Sequence, residues 1–108
     1  ETGMDVLGRI KRLIVRRCYR FSYKSLEELD EDGLEPEDAL EAVLNAQGIK
    51  KTLRSRSPHR ARLGEKLYVI ESFNFGGTLL YTKGKIAREA GEEVYYFFVS
   101  AKASRYAD

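Results

Sequence analysis

The hydrophobic period of this chain changes at Gly48, and that change limits it to one fold class. Before Gly48, apolar residues recur every three or four positions, as in Val6, Leu7, Ile10, Leu13 and Ile14, or Ala39, Leu40, Val43 and Leu44. That spacing makes one stripe on a helix. After Gly48 the period is two: Ile49, Lys51 and Leu53 share a side, and so do Leu80, Thr82, Gly84 and Ile86. Alternation of that kind belongs to strands with one buried face. Helices followed by strands on short loops predict an α+β domain, with three N-terminal helices packed on a C-terminal antiparallel sheet of about four strands.

Local signals set the expected boundaries. Asp5 is an N-cap for a helix over about 5–17, and 18–21 is a short extended link. Ser22 caps a second helix whose apolar contacts are Leu26 and Leu29. Gly33 ends it, because glycine takes the left-handed conformation of a helix end at little cost. Pro36 opens the third helix, where its missing N–H is harmless. Glu37 and Asp38 favour the positive end of that helix's dipole. Leu67–Ile70, Thr78–Ile86 and Val94–Val99 are the later strands, with turns at 74–77 and 89–92.

Length and charge narrow the function. A chain of 108 residues makes one domain, expected over 5–104, and Glu1-Thr2-Gly3 before Met4 reads as a cloning remnant. Residues 48–108 carry Lys or Arg at 50, 51, 54, 56, 60, 62, 66, 83, 85, 88, 102 and 105, against acids at 65, 71, 89, 92, 93 and 108, for a net +6. The first 47 residues carry −4, so the overall +2 conceals an asymmetry. A basic, tyrosine-bearing sheet suits a polyanion such as RNA. The single cysteine, Cys18, excludes an internal disulfide and fits a cytoplasmic protein. One Cys and one His leave no Cys/His zinc site, and acids do not recur at calcium-loop spacing. No cofactor is implied. No apolar run approaches the roughly 20 residues of a membrane span.

Strand parity supplies the candidate chemistry. Leu79, Tyr81, Lys83 and Lys85 share one side of their strand, while Val94, Tyr96, Phe98, Ser100 and Lys102 share a side of the last one. Antiparallel pairing can bring Tyr81 or Lys83 near Lys102, with Lys51 reaching the same patch. Isolated lysines of this kind usually just solvate a half-buried sheet, whereas three lysines and a tyrosine from three strands are a candidate site. Arg54, Arg56, His59, Arg60 and Arg62 surround a basic loop that suits phosphate contact. Cys18 reads as a packing residue. Glu27, Glu28, Asp30, Glu31 and Asp32 read as a solvated helix face, and Arg9, Arg12, Arg16 and Arg17 as helix exterior.

The segment from Gly8 to Asn45, followed by "KKTLRSR", "GTLLYTKGKI" and "YYFFVSAKAS", resembles the MqsR-like toxins and related small toxin-like domains encoded beside a zinc-finger antitoxin. The resemblance runs from about Asp5 to Ser104 and rests on the order and spacing of its pieces. It implies a RelE-like fold and a metal-independent mRNA endoribonuclease, with RNA as substrate. The cognate antitoxin and the ribosome are the implied partners. The family's first-strand basic residue falls on Lys51, its strand tyrosine on Tyr81 with Lys83 two residues on, and its final lysine on Lys102. A family glutamine falls nearest to Glu65, and a family histidine near the second helix meets Tyr23-Lys24. The rival expectation is a catalytically silent module that holds RNA or an antitoxin on the same sheet. A third is a plain structural domain.

Overall fold

The first apolar stripe stops at a turn made without glycine. In the computed structural model, which describes residues 5–54, 65–89 and 93–105, α1 covers Asp5–Val15. Arg17 then takes a φ of 65°. Its N–H bonds to the Ile14 carbonyl at 3.0 Å, and the Cys18 N–H to that of Leu13 at 2.8 Å. This is the Schellman pattern, here with an arginine in a left-handed position that costs an ordinary residue roughly 1 kcal/mol. α2 (Tyr23–Glu31) ends in the same pattern, with Gly33 at φ 72° and the Leu34 N–H on the Leu29 carbonyl. Ser22 caps α2 as expected, its hydroxyl accepting from the Ser25 N–H at 3.0 Å. α3 (Pro36–Asn45) starts at Pro36, where the Asp38 carboxylate accepts from the Glu35 N–H at 2.7 Å. Past its far end the Lys11 amine donates to the Ala46 carbonyl at 2.6 Å, a cation at the negative end of the dipole.

The sheet is five-stranded and mixed, which corrects the expected four-stranded antiparallel one. Its strands are β1 (Tyr19–Phe21), β2 (Lys51–Arg54), β3 (Lys66–Phe73), β4 (Leu79–Glu89) and β5 (Glu93–Ala103), in the spatial order β1-β5-β4-β3-β2. The segment read as a link is β1, parallel to β5, with Tyr19 opposite Tyr96 and Phe21 opposite Phe98. Three residues are too few to display a period of two, so the strand leaves no pattern in the sequence. Backbone hydrogen bonds tie it to β5, and the Phe21 and Phe98 rings stack at 4.4 Å, nearly parallel. The other strand pairs are antiparallel.

Ile10 and Ile14 of α1, Leu29 of α2 and Ala39, Ala42 and Val43 of α3 bury one face of this sheet, against Ile70, Leu80, Tyr96, Phe98 and Ala101. The small side chains of Ala39 and Ala42 allow α3 to lie close to β3 and β4. Leu26, expected in the core, is exposed, because Ser25 and Leu29 carry the buried side of α2.

One irregularity reorganises the last strand. Lys83 pairs with Ser100 but Gly84 pairs with Phe98, so β5 carries Val99 as an extra residue. A bulge reverses which side the residues beyond it face. Tyr96 and Phe98 therefore point into the core while Lys102 points away, which corrects the expected shared side of Val94, Tyr96, Phe98, Ser100 and Lys102. Gly84 sits beneath the Tyr96 ring, and a Cβ there would lie 2.6 Å from its Cζ. Among the described residues the buried Tyr96 hydroxyl has no hydrogen-bond partner, and burial pushes its pKa well above the ordinary tyrosine value. No helix among them is long and apolar enough to cross a membrane.

Candidate functional site

The face turned away from α1 and α3, the far face, takes the alternate residues of each strand. Its rungs follow from the register. One runs Lys51–Val69–Lys83 across β2, β3 and β4; the next runs Glu71–Tyr81–Lys102 across β3, β4 and β5. The four residues singled out from the sequence, Lys51, Tyr81, Lys83 and Lys102, thus lie on adjacent rungs of one face. Lys102 reaches it only because of the bulge at Val99. Its amine stands 5.6 Å from the centre of the Tyr81 ring, a cation–π approach. Lys51 is exposed, while Tyr81, Lys83 and Lys102 are half-buried.

Val69 is fully buried although it lies on this face, and with Lys50, Lys51 and Tyr81 it lines a shallow depression. The floor is apolar and the rim cationic. Glu71 adjoins it, its carboxylate 2.5 Å from the Lys50 amine and also accepting from the Ser104 hydroxyl. Those two hydrogen bonds, the Lys50 one foremost, hold its pKa below the usual glutamate value despite partial burial. Glu71 is therefore a fixed anion among the lysines. Sequence reasoning passed over both Lys50 and Glu71, since residues that pair across strands show no spacing signal along the chain.

Farther along the face, charges are matched. Lys85 pairs with Glu65 at 3.2 Å, and Arg20 pairs with Glu89 at 2.7 Å while lying 4.6 Å over the Tyr95 ring. Glu65, the nearest counterpart to the family glutamine, is thus engaged by Lys85. Among the described residues, Lys51 and Lys83 have no carboxylate within ion-pair distance. The unmatched positive charge is local to their rung, since the next one sets Glu71 against Lys102.

α2 supplies the residues that sequence reasoning misjudged. β1 pairs only the middle of β5, and α2 completes the rest of that edge. The Ser22 hydroxyl donates to the Val99 carbonyl at 3.0 Å. Glu28 accepts from the Ser100 hydroxyl at 2.7 Å and from the Ala101 N–H at 3.1 Å. Asp32 accepts from the Ala103 N–H at 2.9 Å. Two carboxylates read as solvated face therefore stand in for the carbonyls of a missing strand and clamp the backbone on either side of Lys102. Burial alone would raise the Glu28 pKa. The hydrogen bonds from Ser100 and Ala101, with the charges of Lys24 and Lys102, bring it below the usual value. A usable signal existed: Ser25, Glu28, Leu29 and Asp32 fall at i, i+3, i+4 and i+7, one stripe of the helix.

The remaining predicted positions divide. Arg54 ends β2 and is exposed. Arg56, His59, Arg60 and Arg62 lie outside the described residues. Cys18 is half-buried, and its carbonyl accepts from the Tyr96 N–H at 2.9 Å, a backbone role. No protein-family model, curated protein or solved structure matches the chain significantly. Any functional reading therefore stands on these residues and on the resemblance in their order.

Proposed function

We propose that the far face binds single-stranded RNA and cleaves it without a metal, as the toxin of a toxin–antitoxin pair. One observation carries the reading: Lys51, Lys83 and Lys102, from three strands, meet around Tyr81 on the face the helices leave open. Cations fixed on a sheet attract a phosphate backbone and need no rearrangement to stabilise charge that grows during reaction. Cleavage requires a proton to leave the ribose 2′-OH, the 2′-oxygen to attack phosphorus in line, and the departing 5′-oxygen to gain a proton. Tyr81 gives its phenolic proton to the departing 5′-oxygen, water takes the 2′-OH proton and solvent restores that of Tyr81, while Lys51, Lys83 and Lys102 stabilise the extra negative charge on the phosphoryl oxygens. The toxin role rests on the sequence resemblance, and an antitoxin covering this face would block it.

The test is cleavage of a long single-stranded RNA in EDTA. Lys51→Ala and Lys102→Ala should each lose about 10²–10³-fold in rate, as removal of a preorganised charge contact does elsewhere. Arg54→Ala, whose side chain leaves β2 on the opposite side from Lys51, should change the rate little. Cleavage abolished by EDTA overturns the metal-free mechanism, and wild-type rates in a Lys51/Tyr81/Lys102 triple variant overturn the site. Salt-sensitive binding without cleavage makes the face a silent binding module. Glu71 favours that second reading, because an anion held beside Tyr81 repels phosphate. Expression of the chain alone should arrest growth, with relief by the neighbouring gene product; unimpaired growth removes the toxin role.

A further inference from the structure

Phe73 closes β3 on the far face, two residues beyond Glu71, with half-buried Leu79 as its ladder partner. Two strand residues span about 6.6 Å, so Phe73 lies one rung from the Glu71–Tyr81–Lys102 row. It is 52% exposed, so much of its ring is open to a ligand. The backbone around it is pinned. Asn45 of α3 donates to the Phe73 carbonyl at 3.0 Å, and Asn74 donates to Asp38 at 2.9 Å while accepting from the Thr78 N–H at 2.8 Å. An aromatic ring on a backbone held from both sides loses little further freedom on binding.

We propose that Phe73 is a stacking platform for an unpaired base, so that the far face selects single-stranded over duplex RNA. The inference rests on the far face being an RNA surface, and it names the residue that makes that surface choose the single strand. An exposed ring with Lys102 on the neighbouring rung and Lys51 and Lys83 on the rung beyond suits a short single strand, which offers a flat base at one point and anionic phosphates at the next. In a duplex the bases are stacked on each other and closed to such a ring.

The experiment uses the full chain and 2′-O-methyl oligonucleotides, which lack the attacking hydroxyl and cannot be cleaved by this route. Binding is read by fluorescence anisotropy for a 2′-O-methyl oligoadenylate strand, the same strand in a duplex, and an abasic strand of equal length. Wild type should prefer the single strand to both others. Phe73→Ala should lose roughly 5- to 100-fold on the single strand and nothing on the abasic one, with Phe73→Trp restoring binding. Phe75→Ala, which truncates another exposed ring at the turn tip, should leave binding unchanged. Equal affinity of wild type and Phe73→Ala for the single strand overturns the stacking role. So does an equal loss on the abasic strand, or a dimer in sedimentation that Phe73→Ala dissociates. Single-strand binding that depends on Lys51 and Lys83 but not on Phe73 leaves the RNA surface standing and removes the platform alone. Absence of any binding by wild type removes both.

Discussion

The two faces of this sheet use the same strands for opposite ends. On the helix side, Ile70, Leu80, Tyr96, Phe98 and Ala101 are all buried, and their worth lies in close packing. On the far side, the same strands carry Lys51, Glu71, Tyr81, Lys83 and Lys102, whose worth lies in charge placement. Val69 breaks the division as an apolar floor beneath charged neighbours, and Phe73 and Leu79 extend apolar surface to the far end of the same face. The contrast teaches that core packing and charge placement are separable here to within one peptide unit: Ala101 belongs to the core and Lys102 to the far face.

The sharpest way to break that contrast is to truncate matched positions. Phe98→Ala should lower stability by about 3–5 kcal/mol, the usual cost of emptying a buried aromatic site. Lys83→Ala should change it by no more than about 0.5 kcal/mol. Urea denaturation of both decides the point, and equal losses would mean that the far face is also structural. Gly84→Ala comes next, since its methyl group must displace the Tyr96 ring. A cost of about 1–3 kcal/mol is expected, largely recovered when Tyr96→Leu removes the ring, and a double-mutant cycle measures the coupling.

Glu28 belongs to neither face, because it holds the edge that joins them. Its folded pKa lies below the ordinary value near 4.5, so the unfolded chain binds more protons in mildly acid solution. Its contribution is therefore complete above the ordinary glutamate range and fades as pH falls through the folded value. Glu71 acts with the same sign. Glu28→Gln should flatten the acid limb of a stability–pH profile; an unchanged profile would remove Glu28 as the edge clamp. A small effect of the opposite sign should come from Arg17→Gly, which relieves the left-handed arginine after α1. Thermal unfolding should show a gain of at most about 1 kcal/mol, reduced by the freer unfolded chain.

Much of the scaffold was legible because its signals are local. Ser22, Gly33 and Pro36 mark helix ends through their own hydrogen bonds and dihedrals, and the Asn74–Gly77 turn follows from residues that tolerate it. The gathering of Lys51, Tyr81, Lys83 and Lys102 was also legible, though partly for a wrong reason. Simple alternation placed Lys102 on the side of Tyr96, and the bulge at Val99 moved it to the side of Tyr81. Nothing about Val99 announces a bulge, which arises where the Tyr96 ring must cross Gly84 on the neighbouring strand.

By itself, then, the sequence determined the helix-then-strand order, most helix ends, the apolar stripes and the concentration of positive charge after Gly48. Those features follow from side-chain periodicity and from backbone preferences within a few residues. Tertiary structure alone decided that Tyr19–Phe21 is a strand, that β5 bulges, that Glu28 and Asp32 seal its edge, and that Glu71 stands among the lysines. Each depends on backbone N–H and C=O groups, or on charges, finding partners from elsewhere in the chain. Every residue carries the same backbone groups, so the choice among them becomes visible only when the distant segments have met.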